Sequence, residues 1–150
     1  MSEAAPDLRP AVAAYAAFFE ALTPETLPRL RDLCAADVRF RDPFNDVTGV
    51  AHMESIFRDM FRLLVAPRFA VTHWAVSGET AYLRWTMTFR RTSGGRLWTI
   101  DGVSEVRFDA ARRVVAHIDH WDAAGQLYER LPLIGALLRR IRRRLSHSPS

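Results

Sequence analysis

The sequence contains no lysine: all 21 of its basic residues are arginine. Schiff-base chemistry on a lysine amine and covalent attachment of pyridoxal phosphate are therefore excluded. Its single cysteine, Cys34, cannot form a disulfide within the chain, and the helical pattern around it predicts a small buried residue. No apolar run approaches the ~20 residues that cross a bilayer. The first ten residues lack a basic segment followed by an apolar core, so we expect a cytoplasmic protein without a signal peptide.

Charge is unevenly distributed along the chain. Residues 139–150 contain five arginines and no acid, whereas the remaining 16 arginines and 17 acids leave a balance of −1. The net charge of +4 is therefore a property of the C-terminal segment, and it does not predict nucleic-acid binding by the rest of the chain.

Hydrophobic periodicity predicts a single domain over residues 1–150 with the order helix, helix, strand, helix, four strands, helix. We expect a second helix capped by Thr23, and a basic last helix at about 123–145 that is interrupted at Pro132. The other helices are predicted at about 7–22 and 50–64, and the strands at 38–42, 69–76, 80–91, 97–108 and 114–122. Short turns join the last four strands, so they form an antiparallel meander with one face covered by helices.

Alternation assigns the buried face of two strands clearly and of the last strand poorly. In the strand at 80–91, we expect the face with Leu83 and Trp85 to lie against the helices. In the strand at 97–108, we expect the same of the face with Trp98 and Ser104. In the last strand both faces mix polar and apolar residues. His117, Asp119 and Trp121 share one of these faces.

Four motifs resemble the ketosteroid isomerase and SnoaL-like branch of the nuclear transport factor 2-like superfamily. They are VAAYAAFF, VRFRDPF, GVSEVRFD and IDHWD, in this order, and the resemblance extends to about Asp122. It implies an α+β cone-shaped barrel in which N-terminal helices pack on a strongly curved antiparallel sheet, with an extra C-terminal helix. It also implies chemistry that needs no metal or organic cofactor.

The resemblance to the isomerase assigns roles to particular residues. Asp42, which precedes Pro43, resembles the general base, and Tyr15 resembles the tyrosine that holds the enolate oxygen. The position of the isomerase's second, protonated aspartate falls on Ser104, which is a departure that weakens the case for isomerase activity. SnoaL-like cyclases close a ring by an aldol step with an acid/base residue in the pocket, a role open here to Asp119 beside His117.

Each of these residues also has a plain structural explanation. Asp42 would cap the loop that follows it, Tyr15 would be a core tyrosine, and His117 with Asp119 would form a polar patch. The sequence lacks the HxxxH or HxH spacing of a tight metal site, so we predict no metal. Five large aromatic or sulfur-containing side chains are candidates to line a pocket for a flat apolar ligand. Alternatively, they simply fill the core. They are Trp85, Trp98, Trp121, Phe57 and Met87.

Two surfaces carry predictions about partners. Arg84 and Arg90 are expected opposite Asp101 and Glu105 on the outer sheet face, where Tyr82 adds apolar area, which favours a homodimer. The tail LPLIGALLRRIRRRL could contact a membrane surface, the pocket mouth or a partner subunit, or it could be a solvated helix. The sequence thus leaves two main hypotheses: an enzyme for hydrophobic, polyketide-like ketones, and a non-catalytic protein that binds a small molecule or a partner.

Overall fold

The structure is a computed structural model that describes residues 6–130 and 132–145. Residues 1–5, which belong to the segment used to predict the absence of a signal peptide, and residues 146–150 of the basic C-terminal segment lie outside the described residues. The chain divides into two compact units, one ending at His120 and one beginning at Trp121. Within the described ranges, no helix is long and apolar enough to cross a membrane.

Helix α1, Arg9–Glu20, begins with a proline in its first turn, where no intrahelical N–H is needed. Val12, Tyr15 and Phe19 are buried along one stripe of the helix, as the periodicity predicts. Helix α3, Val50–Leu63, likewise buries Met53 and Phe57. It follows Gly49, whose φ of 112° is the left-handed conformation that glycine tolerates best.

The predicted second helix is mostly absent. A 3₁₀ turn, Leu27–Arg29, leads into the one-turn helix α2, Leu30–Leu33. Cys34 is extended (φ −112°, ψ 149°) and begins strand β1, so its assignment to a helix was wrong. Pairing with Val114 in a neighbouring strand fixes this extended backbone, which local helical spacing could not reveal. Its burial is confirmed, at 1% exposure.

A six-stranded sheet forms the rest of the first unit. Its strands are β1 (Cys34–Arg41), β2 (Asp46–Thr48), β3 (Val65–Ser77), β4 (Thr80–Arg90), β5 (Trp98–Phe108) and β6 (Val114–His120). Their spatial order is β2-β1-β6-β5-β4-β3. The predicted meander of β3 to β6 is confirmed, but β1 pairs with β6 in parallel, so the sheet is mixed. Strand β2 lies in the segment expected to be a loop.

A bulge explains why the last strand had no clear pattern. Arg107 pairs with Ala116, whereas Phe108 pairs with Val114, which leaves Val115 as an extra residue. Val114 and His117 are therefore both buried although they are three residues apart. Simple alternation would have placed Val115 inside instead.

The outer sheet face differs in register from the expectation. Arg84 pairs with Val103, while Asp101 lies opposite Thr86 and Glu105 opposite Tyr82. The predicted pairing of Arg84 with an acidic residue is therefore wrong, because each acid lies opposite a residue two positions away from Arg84. Thr86 donates to Asp101 at 2.7 Å instead.

The second unit is helical. Helix α4, Ala123–Gln126, is capped by Asp122, whose Oδ1 accepts from the backbone N–H of Gly125 at 2.9 Å. A 3₁₀ turn, Tyr128–Arg130, precedes helix α5, Pro132–Leu145. Leu137, Ile141 and Leu145 recur every four residues on α5 and are exposed.

Candidate functional site

A small cavity opens between α1, α3 and the inner face of the sheet. Its volume is about 30 Å³, which is enough for one or two water molecules, since one needs roughly 10–15 Å³. Aromatic and aliphatic side chains supply most of its wall: Ala16, Phe19, Phe57, Phe69, Val71, Leu83 and Val106. Five polar or hydrogen-bonding side chains complete it: Tyr15, Trp85, Ser104, His117 and Asp119.

These five side chains form one hydrogen-bonded chain. The Tyr15 hydroxyl lies 2.6 Å from His117 Nδ1, and His117 Nε2 lies 2.8 Å from Asp119 Oδ1. Ser104 Oγ donates to the same Asp119 oxygen, and Trp85 Nε1 donates to Ser104 Oγ at 2.8 Å. With its proton on Nε2, His117 donates to Asp119 and accepts from Tyr15. The donors then run from Trp85 through Ser104 and from Tyr15 through His117, and both branches end at Asp119 Oδ1.

The local sequence places the members of this chain. Ser104 of β5 pairs with Asp119 of β6, and Val106 pairs with His117 two residues further along the same two strands. Asp119 and His117 therefore project from the same face of β6. Tyr15 reaches them from the buried stripe of α1, and the His117 ring is 3% exposed among the rings of Tyr15, Phe19 and Phe40.

The two oxygens of Asp119 have different surroundings. Oδ1 accepts both hydrogen bonds, from Ser104 and from His117, whereas no donor among the described residues contacts Oδ2. No buried side-chain oxygen or nitrogen among those residues lacks a partner, so Oδ2 retains accessible surface. The Asp119 side chain as a whole is 15% exposed. Asp119, a residue of the cavity wall, thus has one carboxylate oxygen with free lone pairs.

Burial determines the protonation states of Tyr15 and Cys34. Burial, with the neighbouring Cys34 and Asp119 charges, raises the pKa of Tyr15 well above its usual value. Tyr15 therefore remains a hydroxyl that can donate. Burial also raises the pKa of Cys34 to about 12, although a hydrogen bond with Tyr15 acts in the opposite direction.

The raised pKa of Cys34 predicts a loss of stability in alkali. The pKa of the thiol is about 9.0 in the unfolded chain and about 12 in the folded one. Between these pH values the folded state binds more protons, so the free energy of unfolding falls as the pH rises. Urea unfolding at pH 8 and 11 should show a smaller fall for Cys34→Ala than for the wild type. Equal falls would show that Cys34 does not titrate in this way.

Asp42 lies outside the cavity wall and has a different role. Its Oδ1 accepts from the backbone N–H groups of Phe44 and Asn45, both at 2.7 Å, and its side chain also contacts the Asn45 amide. The aspartate therefore caps the turn between β1 and β2. The structure does not bring it together with Tyr15 and Asp119 as the isomerase resemblance implies.

The other predicted lining residues divide between wall and core. Phe57, Trp85 and Ser104 line the cavity. Trp98 is buried elsewhere on the sheet, where it stacks on Phe89 at 6.0 Å between ring centroids, and Met87 is buried on the neighbouring strand. Trp121 is the first residue of the second unit.

Sequence reasoning did not select several wall residues. Ala16, Phe19, Phe69, Val71, Leu83 and Val106 line the cavity but were assigned no role there. Spacing on α1 and alternation along β3 to β5 carried the signal for their burial. It did not distinguish a residue that faces a void from one that fills the core.

The described residues contain no group of three or more histidine, cysteine, aspartate or glutamate side chains arranged to bind a metal ion. Among the residues that line the cavity, His117 and Asp119 are the two of these metal-binding types. Their facing atoms are hydrogen-bonded to each other.

Comparison with known proteins agrees with this architecture. The family model of the SnoaL-like domain matches residues 15–117, more than half of the chain. The chain belongs to the SnoaL-like domain family. The match includes Tyr15, Ser104 and His117, and it ends two residues before Asp119. No curated protein matches the sequence.

Solved structures show the same fold. A protein from Jannaschia assigned as a SnoaL-like polyketide cyclase superposes with a TM-score of 0.70 at 12% identity, covering 83% of this chain and 94% of its own. A nuclear transport factor 2-like protein of unknown function from Burkholderia pseudomallei gives 0.67 at 23% identity, covering 79% and 92%. A ketosteroid isomerase-like protein from Catenulispora acidiphila, in complex with trimethylamine, gives 0.67 at 15% identity, covering 79% and 90%. The α+β fold with helices packed on a six-stranded sheet is thus confirmed as that of this SnoaL-like group.

Proposed function

We propose that this SnoaL-like protein is a cofactor-independent enzyme that performs acid–base chemistry on a hydrophobic, ring-containing ketone. The observation that carries the proposal is the carboxylate of Asp119 in the cavity wall, which is held through one oxygen by Ser104 and His117 and keeps the other accessible. Such a group is positioned to accept a proton. The assignment of the Jannaschia relative as a SnoaL-like polyketide cyclase supports a polyketide-like substrate.

The chemical step is a proton transfer from carbon. Asp119 Oδ2 takes a proton from the carbon next to the substrate carbonyl, and the electrons of the broken C–H bond form an enolate. In an isomerisation, the protonated Asp119 returns this proton to another carbon. In a cyclisation, the enolate carbon attacks a second carbonyl, and the resulting alkoxide takes the proton from Asp119.

The enolate oxygen needs a hydrogen-bond donor, and Ser104 is best placed to supply it. Ser104 donates to Asp119 in the resting state. Once Asp119 is protonated, its oxygen is a weaker acceptor, and the serine hydroxyl can turn towards the enolate. The Tyr15 hydroxyl is bound to His117, so in this proposal Tyr15 positions the histidine and does not contact the substrate.

A deuterium-exchange assay tests this function without knowledge of the natural substrate. Ring ketones such as 2-tetralone are incubated with the protein in D₂O, and loss of the signal from hydrogens next to the carbonyl is followed by proton NMR. Catalysed exchange above the buffer rate supports a base in the cavity. Exchange at the buffer rate for a panel of fused-ring and polyketide-like ketones would contradict the proposal.

Non-catalytic binding of a small molecule is the second candidate. It is favoured by the fact that each donor in the chain from Trp85 to Asp119 already has an acceptor. Binding of a ring ketone without any deuterium exchange would select this function.

We also propose a homodimer formed through the outer sheet face. Tyr82 is 44% exposed there, in one row with Glu105 and Ile118 on the neighbouring strands. Light scattering at micromolar concentration should give twice the chain mass of 17.1 kDa. Tyr82→Arg should lower the measured mass towards that of one chain, because it places like charges against each other across the two-fold axis. Ala13→Arg, at an exposed position of α1, should leave the measured mass unchanged. A wild-type monomer would refute this interface.

A further inference from the structure

A second, larger cavity lies beside the Asp119 cavity. It is a groove of about 450 Å³ between the end of α1, the turn that follows, the end of α3 and the start of β3. Its wall includes Glu20, Ala21, Thr23, Phe61, Pro67 and Arg68. The volume falls in the ~300–1,000 Å³ range of pockets that hold drug-sized ligands, unlike that of the Asp119 cavity.

Two aromatic side chains belong to the walls of both spaces. Phe19 and Phe69 line the groove and also the Asp119 cavity. Their rings meet edge to face with centroids 6.1 Å apart, and Phe69 also contacts Trp85 at 5.8 Å. The two spaces are therefore neighbours that share this pair of rings.

The backbone beside the groove is irregular. Strand β3 has a register shift between Val65 and Arg68, and Ala66 within it has a φ of 49°. A non-glycine residue in this conformation is strained, and bulges of this kind often adjoin functional sites. The strain lies at the groove wall, since Ala66 and Pro67 both line it.

The groove also offers charged groups to a ligand. Glu20 and Arg68 are exposed, and neither forms an ion pair among the described residues. The groove can therefore accept rings against Phe61 and Pro67 while it binds polar substituents at its rim. This mixture differs from the mainly apolar wall of the Asp119 cavity.

We propose that the groove binds the non-reacting rings of a fused-ring ketone, whose carbonyl end enters the Asp119 cavity between Phe19 and Phe69. The inference rests on the proposed function for the role of Asp119, but binding in the groove does not depend on it. It resolves the mismatch between a 30 Å³ reaction cavity and a ring-sized substrate, because only the reacting atoms need to enter. Rotation of the two phenylalanine rings provides the passage.

The fluorescent naphthyl ketone prodan tests the groove directly. It is neutral, so the arginine-rich tail does not attract it by charge. Ala21→Trp fills the groove from an exposed position at the end of α1, and Ala17→Trp adds the same side chain at an exposed position of α1 outside the groove. We expect Ala21→Trp to weaken prodan binding at least tenfold and Ala17→Trp to change it less than twofold. Glu20→Trp, which fills the groove independently, should repeat the effect of Ala21→Trp.

The two proposals fail in different ways. Equal prodan affinity for the wild type and all three variants, each with a wild-type circular dichroism spectrum, overturns the groove and leaves Asp119 as a base untouched. Absence of deuterium exchange in the wild type removes the proposed catalysis, while the prodan titration still decides the groove. Weaker prodan binding in Ala21→Trp and Glu20→Trp alone supports the groove in either case.

Discussion

Asp119→Asn should lower the enzyme-catalysed deuterium exchange of a ring ketone by roughly 10²- to 10⁴-fold, the usual contribution of a general base. The asparagine carbonyl can still accept from Ser104 and His117, so the hydrogen-bonded chain stays intact. The amide nitrogen then replaces the carboxylate oxygen that no described residue contacts. Proton NMR of the ketone in D₂O measures the change.

Asp42→Asn provides the matched control. This substitution is chemically identical, but Asp42 accepts hydrogen bonds in the turn after β1, and its side chain does not line the cavity. We expect its exchange rate to remain within about twofold of the wild type. A large loss in Asp42→Asn together with full activity in Asp119→Asn would restore the role that the isomerase resemblance implied for Asp42.

Gly102→Ala should destabilise the protein and disturb the site at once. Gly102 pairs with Trp85 across β4 and β5, and a Cβ at this position would lie much closer to ring carbons of the Trp85 indole than van der Waals contact allows. The indole is 6% exposed and packed against Phe69, so it has little room to move. Overpacking of this kind costs about 1–3 kcal/mol, which urea unfolding would measure.

A double-mutant cycle shows whether the indole is the cause. In a Trp85→Phe background the colliding indole atoms are absent, so adding Gly102→Ala should cost less free energy of unfolding. Equal costs in the two backgrounds would place the origin in the backbone instead. Because Trp85 donates to Ser104, the single Gly102→Ala variant should also lose this hydrogen bond and exchange activity with it.

Local patterns predicted most of the fold because most of its elements bury one clear stripe or face. The alternation in β4 and β5 correctly placed Leu83, Trp85 and Ser104 inside. The pattern failed where a contact distant in sequence decides the backbone. Pairing with β6 makes Cys34 extended, and the extra residue Val115 shifts the buried positions of β6.

The site was only partly predictable for the same reason. Tyr15, Ser104, His117 and Asp119 were all named from the sequence, and the structure brings them together. Their hydrogen-bonded order could not be read from spacing, because it depends on how α1 lies across the sheet. Asp42 followed the family motif, yet its nearest donors are the backbone N–H groups of its own turn.

The inequivalence of the two Asp119 oxygens has a stereochemical consequence. A carboxylate anchored by Ser104 and His117 through Oδ1 offers its free lone pairs from one fixed direction. A ring held beside it presents one face to Oδ2 and the opposite face to the apolar wall. The two hydrogens of a prochiral methylene are then chemically distinct to the protein, and a single enantiomer of the monodeuterated ketone should form first.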